Sequence, residues 1–154
     1  MAWHASSAIA AELVGKVIAV ADGDTVTILD ADMLKHRIRL SGIDAPEKRQ
    51  AFSQRSKQAL SQAVFNRTVT VEWSKRDRYG RLVGKLILPD GRDANLRQIE
   101  LGMAWHYKAY AEEQNVIDRS DYATAEDRAR EFHVGLWSDL APVPPWEFRK
   151  AARP

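Results

Sequence analysis

The sequence predicts an α+β domain whose sheet is a small five-stranded barrel. Three observations carry that prediction. Five short runs are rich in β-branched residues or alternate apolar with polar ones, one helical pattern is inserted between the third and fourth runs, and turn residues stand at the junctions. A length of 154 residues fits one domain. With 45% hydrophobic and 29% charged residues, the chain is too apolar to be disordered and ordinary for a globular protein.

Residues 13–21 form an apolar, β-branched run that reads as the first strand, and Asp22-Gly23-Asp24 breaks it. The second strand spans 25–29, with Val26 and Ile28 on one face, and residues 30–33 link it to the third as a hairpin. In 34–40, Leu34, Ile38 and Leu40 point one way and Lys35, Arg37 and Arg39 the other. Residues 50–65 follow a helical period through Phe52, Ala59, Leu60, Ala63 and Val64. The fourth strand, 68–73, turns Val69, Val71 and Trp73 inward. The fifth, 82–88, is closed by Pro89-Asp90-Gly91.

Two more helices follow. One spans 94–101, with Asp93 as its N-cap and Gly102 past its end; the other spans 121–133, capped by Ser120 and stopped by Gly135. Tyr122, Ala125, Ala129 and Phe132 are the second helix's expected buried stripe. Five strands, with one of three α-helices between the third and fourth strands, is the chain order of an OB-fold β-barrel. The expected organisation is an N-terminal arm at 1–12, the barrel domain at 13–138 and an irregular, Pro-rich and basic tail at 139–154. The start lacks the basic residues and long apolar core of a secretory signal, hence its reading as an arm. No apolar run approaches a membrane span.

The chain has no cysteine, which excludes disulfides, thiolate nucleophiles and Cys-ligated zinc. Net charge is only +2 although the pI is about 9.0, so the arrangement of charge matters more than its sum. Three segments concentrate charge where strands meet loops. Asp22-Gly23-Asp24-Thr25 alone could be a plain turn; it is not an EF-hand loop, because Thr27 and Met33 stand where that loop needs Gly and Glu. In the second segment Arg39 leaves its strand, and Asp44-Ala45-Pro46-Glu47 follows. Arg39 as a solvated strand residue and Glu47 as a helix-start charge are the bland alternatives. The third is Asp77-Arg78-Tyr79-Gly80-Arg81, where two arginines and a tyrosine exceed what a turn needs.

Phosphodiester hydrolysis supplies a reason to want all three segments together. Attack on phosphorus builds negative charge on its oxygens and needs fixed positive charge there. Asp24 and Asp44 suit a hard cation, which prefers oxygen ligands. Arg39 and Arg81 suit phosphate, because a guanidinium fork meets two oxygens at once. Glu47 is the spare carboxylate, available to the attacking water.

These three blocks, in this order on this strand and helix pattern, resemble the staphylococcal nuclease family. Gly102-Met103-Ala104-Trp105 and Gly135-Leu136-Trp137 are similar to two of its later landmarks. The resemblance spans residues 13–137. It implies a calcium-dependent endonuclease that cuts DNA and RNA with little sequence preference and leaves 3′-phosphate ends. It implies Ca²⁺ held by Asp24, Asp44 and the carbonyl of Ala45, with Asp22 behind them. Arg39 and Arg81 would stabilise the transition state, and Glu47 would take a proton from the water or orient it. Arg78 and Tyr79 would contact the terminal phosphate and nucleotide, and Tyr110 or Tyr107 would flank the base. Ala45 departs from the family's frequent threonine, which removes a hydroxyl but keeps the carbonyl. The implied partners are single-stranded or breathing DNA and RNA, with no membrane, for a monomer in a secreted or periplasmic setting.

Other residues draw attention without a role. His4, His36, His106 and His133 show no metal-ligand spacing and are read as structural. Trp73, Trp105 and Trp137 are read as core or core-edge, with base stacking as the alternative. Lys48, Arg49, Arg55 and Lys57 read as a solvated helix face that could also guide a polynucleotide backbone.

Overall fold

The computed structural model describes residues 11–153. Five strands close into a barrel: β1 (Ala11–Asp22), β2 (Thr25–Leu29), β3 (Lys35–Leu40), β5 (Thr68–Arg76) and β6 (Leu82–Ile87), in the order β1-β2-β3-β6-β5. Two short strands, β4 (Ile43–Asp44) and β7 (Trp105–His106), pair outside it. All barrel neighbours are antiparallel except β3 and β6, which run parallel with Arg39 opposite Val83. The long β1 serves two neighbours, pairing through Lys16–Asp22 with β2 and through Ala11–Lys16 with β5. Irregularities near Val17 and Val20 give it the bend that closure requires. The expected OB-fold barrel is therefore present.

Alternation fills the barrel. Val17, Val26, Ile28, Ile38, Leu40, Val71 and Leu86 are fully buried. Leu34 was expected among them but is 59% exposed. It precedes β3 in the hairpin, where its N–H donates to Asp30 Oδ1. His36 is half-buried, with Nε2 2.7 Å from Asp30 Oδ2, and closes the same turn.

Helix α1 (Ser53–Val64) lies between β4 and β5 in the chain and buries Ser56, Leu60, Ala63 and Val64. Phe52 does not extend its stripe. It sits before the helix at φ 69° and packs into a second apolar cluster with Trp105, Leu136 and Trp137. Helix α2 (Ala94–Glu100) is capped as expected: Asp93 Oδ1 accepts from the N–H groups of Asn95 and Leu96.

Helix α3 (Val116–Glu131) begins earlier than the expected residue 121, because Asn115, not Ser120, caps it by accepting from Asp118 N. It buries Tyr122, Ala125, Glu126 and Ala129. Phe132, past its last residue, is 68% exposed rather than in the stripe. The tail expected to be irregular carries a helix, α4 (Pro145–Ala151), so the described residues hold four α-helices rather than three. Its proline occupies the first helical turn, where no amide hydrogen is needed. Most of the expected arm, and His4 within it, lies outside the described residues, but Ala11 and Glu12 belong to β1 and pair with Trp73 and Glu72.

Trp105 and Trp137 are buried with ring centroids 4.4 Å apart, and Trp73 packs half-buried on the main core. The core reading of these tryptophans holds. The β1–β2 turn passes against α1 so closely that a side chain at Gly23 would run into Ser56 and the Cβ of Ala45. Ser56 cannot withdraw easily, since it is fully buried and its Oγ donates to the carbonyl of Met103. Gly23→Ala is expected to cost about 1–3 kcal/mol as overpacking. At roughly 2–4 °C per kcal/mol for a domain of this size, thermal unfolding should show a clearly lowered Tm.

Candidate active site

Barrel register gathers three chain segments on one rim. Thr25 pairs with Arg39, and the carbonyl of Asp24 accepts from Leu40 N at 2.8 Å, which puts Asp24 beside the end of β3. Gly42, at φ +75°, turns the chain back, so that Ile43 and Asp44 leave along β4 against His106 and Trp105. Tyr107 N donates to the carbonyl of Gly42, which fixes the tyrosine next to this loop.

Asp24 and Asp44 are both buried, and Arg39 joins them. One terminal nitrogen, Nη2, lies 3.4 Å from Asp24 Oδ2 and 3.2 Å from Asp44 Oδ1. The other, Nη1, donates to the carbonyls of Leu40 and Ile43 at 2.8 and 2.9 Å. Asp24 Oδ2 also accepts from Ala45 N at 2.8 Å, and its Oδ1 from Thr25 Oγ1 at 3.1 Å. Asp22 stands behind, accepting from Asp24 N at 3.0 Å. Burial, reinforced by the neighbouring charge of Asp24, pushes Asp22 up to about 7. Burial also raises Asp44, against the opposing pull of Arg149 and Arg39.

Arg149 is the residue that sequence reasoning missed. It reaches back from α4 and forks onto Asp44, with Nη1 3.1 Å from Oδ1 and Nη2 2.8 Å from Oδ2. Its Nη1 also donates to Glu47 Oε1 at 2.6 Å, and its Nη2 to the Tyr107 hydroxyl at 3.2 Å. These acids hold its pKa above the ordinary arginine value, although burial works the other way. Tyr107 is raised by burial and by the charge of Asp44. The Tyr107 ring stacks on Trp146 at 5.3 Å and 11°, and Tyr110 meets its edge at 4.8 Å. Of the two tyrosines, Tyr107 joins the acids through Arg149, while Tyr110 flanks it and takes the Lys75 ammonium over its ring. The signal that could have found Arg149 is Trp146 three residues ahead of it, one helical turn away after a Pro-Pro start.

The third charged segment stays separate from the acids. Arg81 precedes β6 on the outward face, one strand over from Arg39, and its Nε donates to Asp77 Oδ2 at 2.8 Å. Although burial opposes it, donors from Arg81 and Tyr79 hold Asp77 below the usual carboxylate range. Arg78 and Tyr79 lie exposed at the hairpin tip, where Arg78 Nη2 donates to the Tyr79 hydroxyl at 2.7 Å. None of these three residues touches Asp24, Asp44 or Glu47 among the described residues.

Among the described residues no group of three or more His, Asp or Glu side chains is arranged to hold a metal ion. A cation on this rim would rest on two carboxylates, backbone oxygen, and solvent or substrate oxygens. Hard oxygen donors on closely spaced acids, already bridged by a cationic nitrogen, suit an ion of the calcium type.

Acids and arginines thus gather on the rim of a closed OB barrel. The chain matches the model of the staphylococcal nuclease homologue family over residues 37–139. An "Uncharacterized endonuclease" of Escherichia coli O157:H7 is 40% identical over 139 residues, covering 90% of this chain and 86% of the relative. "Protein ParB" of Escherichia coli is 40% identical, over 91% of this chain and 81% of its own. The "Micrococcal nuclease" of Shigella flexneri is 36% identical over 151 residues, 93% of this chain and 84% of its own. The chain belongs to the staphylococcal nuclease family and is a nuclease, a hydrolase that cleaves phosphodiester bonds.

A carboxyl whose folded pKa is raised binds its proton more readily in the folded state than in the unfolded one. Its contribution to stability is lost as pH rises from the ordinary aspartate range through about 7. In calcium-free buffer, stability measured by urea unfolding is expected to fall across that window, and Asp22→Asn to flatten the fall.

Proposed function

We propose that this nuclease is a calcium-dependent endonuclease that hydrolyses DNA and RNA with little sequence preference and leaves 3′-phosphate ends. The observation that carries the reading is the single Arg39 nitrogen shared by Asp24 and Asp44: two buried carboxylates from separate segments already surround one cationic position. Asp24, Asp44 and the carbonyl of Ala45 would hold the ion, with Asp22 behind them. When bound, calcium supplies Lewis-acid charge to a phosphoryl oxygen.

The remaining work falls to the chain's own residues. Glu47 accepts a proton from the attacking water or orients it; the bond from Arg149 to both Glu47 and Asp44 supports its nearness to the rim. Arg39 holds positive charge at the base of the site, anchored by two backbone carbonyls. Arg81 keeps its Nε edge on Asp77 and offers its terminal nitrogens to phosphate oxygens. Cleavage on the 5′-oxygen side leaves the phosphate on the 3′ end. Phosphate contacts carry no base information, which supports weak sequence preference. Tyr107 and Tyr110 offer aromatic surface to a nucleotide of single-stranded or breathing nucleic acid, and Arg78 with Tyr79 extends that contact from the hairpin tip.

Removing one preorganised donor to transition-state charge costs about 3–4 kcal/mol, so Arg81→Lys should lower kcat by roughly a hundred- to a thousandfold. Tm should change little, and activity within tenfold of wild type rejects the assignment. EGTA should abolish cleavage of denatured DNA, and Mg²⁺ should restore it poorly, because magnesium keeps its water and demands stricter geometry. Labelling of product ends distinguishes 3′-phosphate from 5′-phosphate.

A further inference from the structure

All four oxygens of Asp24 and Asp44 already receive donors. Asp24 Oδ1 has Thr25, Asp24 Oδ2 has Ala45 N and Arg39, Asp44 Oδ1 has Arg39 and Arg149, and Asp44 Oδ2 has Arg149. A cation entering this set competes with the guanidinium groups for these oxygens. The two differ in what holds them. Arg39 is nearly buried, stands within β3 and is pinned by two backbone carbonyls. Arg149 has a side chain 34% exposed and rides on a seven-residue helix near the chain's end. That helix is held over the site by the Trp146 ring, stacked on Tyr107 and edge-on to Trp105 at 5.5 Å.

We infer that α4 is an autoinhibitory strap: Arg149 occupies the cation's place on Asp44 and pairs with Glu47 beside it, while Trp146 covers the Tyr107 face, and calcium binding and strap docking exclude one another. The inference rests on the calcium reading above. A guanidinium and a divalent ion repel at this distance, and Asp44 cannot give the same oxygens fully to both. The helix thereby places a positive charge and a flat aromatic ring where calcium and a nucleobase would lie. One local event, release of α4, would uncover both subsites together. An equilibrium between docked and released helix lowers apparent calcium affinity by the fraction of molecules in the open form.

Calorimetric titration of the full chain with CaCl₂ at fixed ionic strength, without nucleic acid, tests this. Arg149→Gln is expected to bind calcium on the order of tenfold more tightly than wild type. Because that change also removes a positive charge, Trp146→Ala is the deciding variant. It leaves charge untouched, and it should also tighten binding severalfold. In wild type, hydrogen exchange across α4 should accelerate on calcium addition while the barrel strands stay protected. Calcium binding to wild type with Trp146→Ala unchanged or weaker, or with α4 equally protected with and without the ion, overturns the strap and leaves the calcium reading intact. No calcium binding to any of the three proteins overturns both.

Discussion

Asp24 and Asp44 are withdrawn from water at the mouth of the barrel, where like charges crowd together unless cations come with them. Arg39 meets that need from within, sharing one nitrogen between the acids and spending the other on the two carbonyls that shape the β3–β4 turn. Its charge and its geometry are therefore inseparable: the group that neutralises the site also builds the loop that presents Asp44. Asp22 shows what happens one layer back, where no direct partner cation is offered among the described residues and the carboxyl retains its proton up to about 7.

The barrel makes this crowding tolerable by making it rigid. Gly23 lets the β1–β2 turn press against α1, and Gly42 reverses the chain between Arg39 and Asp44. The short β4–β7 pair then ties Asp44 to Trp105 and brings Tyr107 alongside. Behind that pair stands Glu126, a buried carboxylate of α3 that accepts from His106 N, Lys108 and Arg130. The aromatic wall of the site is thus positioned from a helix distant in the sequence.

Most of the barrel was legible in the sequence because alternation in β2, β3 and β5 reports directly on a sheet with one face buried. Asp93 and Gly102 marked α2 for the same local reason, since capping is written in the residues that do it. The errors have physical causes too. Leu34 follows the parity of β3 but belongs to a turn held by Asp30, and Asn115 starts α3 ahead of the serine that looked like its cap. Asp22, Asp24, Asp44 and Glu47 could be named from their blocks, but only tertiary structure shows them meeting. Arg149 could not be found by the same means. It lies beyond residues 13–137, whose blocks carry the resemblance, and its significance depends wholly on where a short tail helix docks.

The parallel seam between β3 and β6 joins segments far apart in the chain, with Arg39 on one side and Arg81 at the entrance of the other. Such pairings repay the entropy of closing their loops only when the whole barrel shuts. Before that moment the acids and the two arginines belong to unconnected stretches, so their arrangement exists only in the completed barrel.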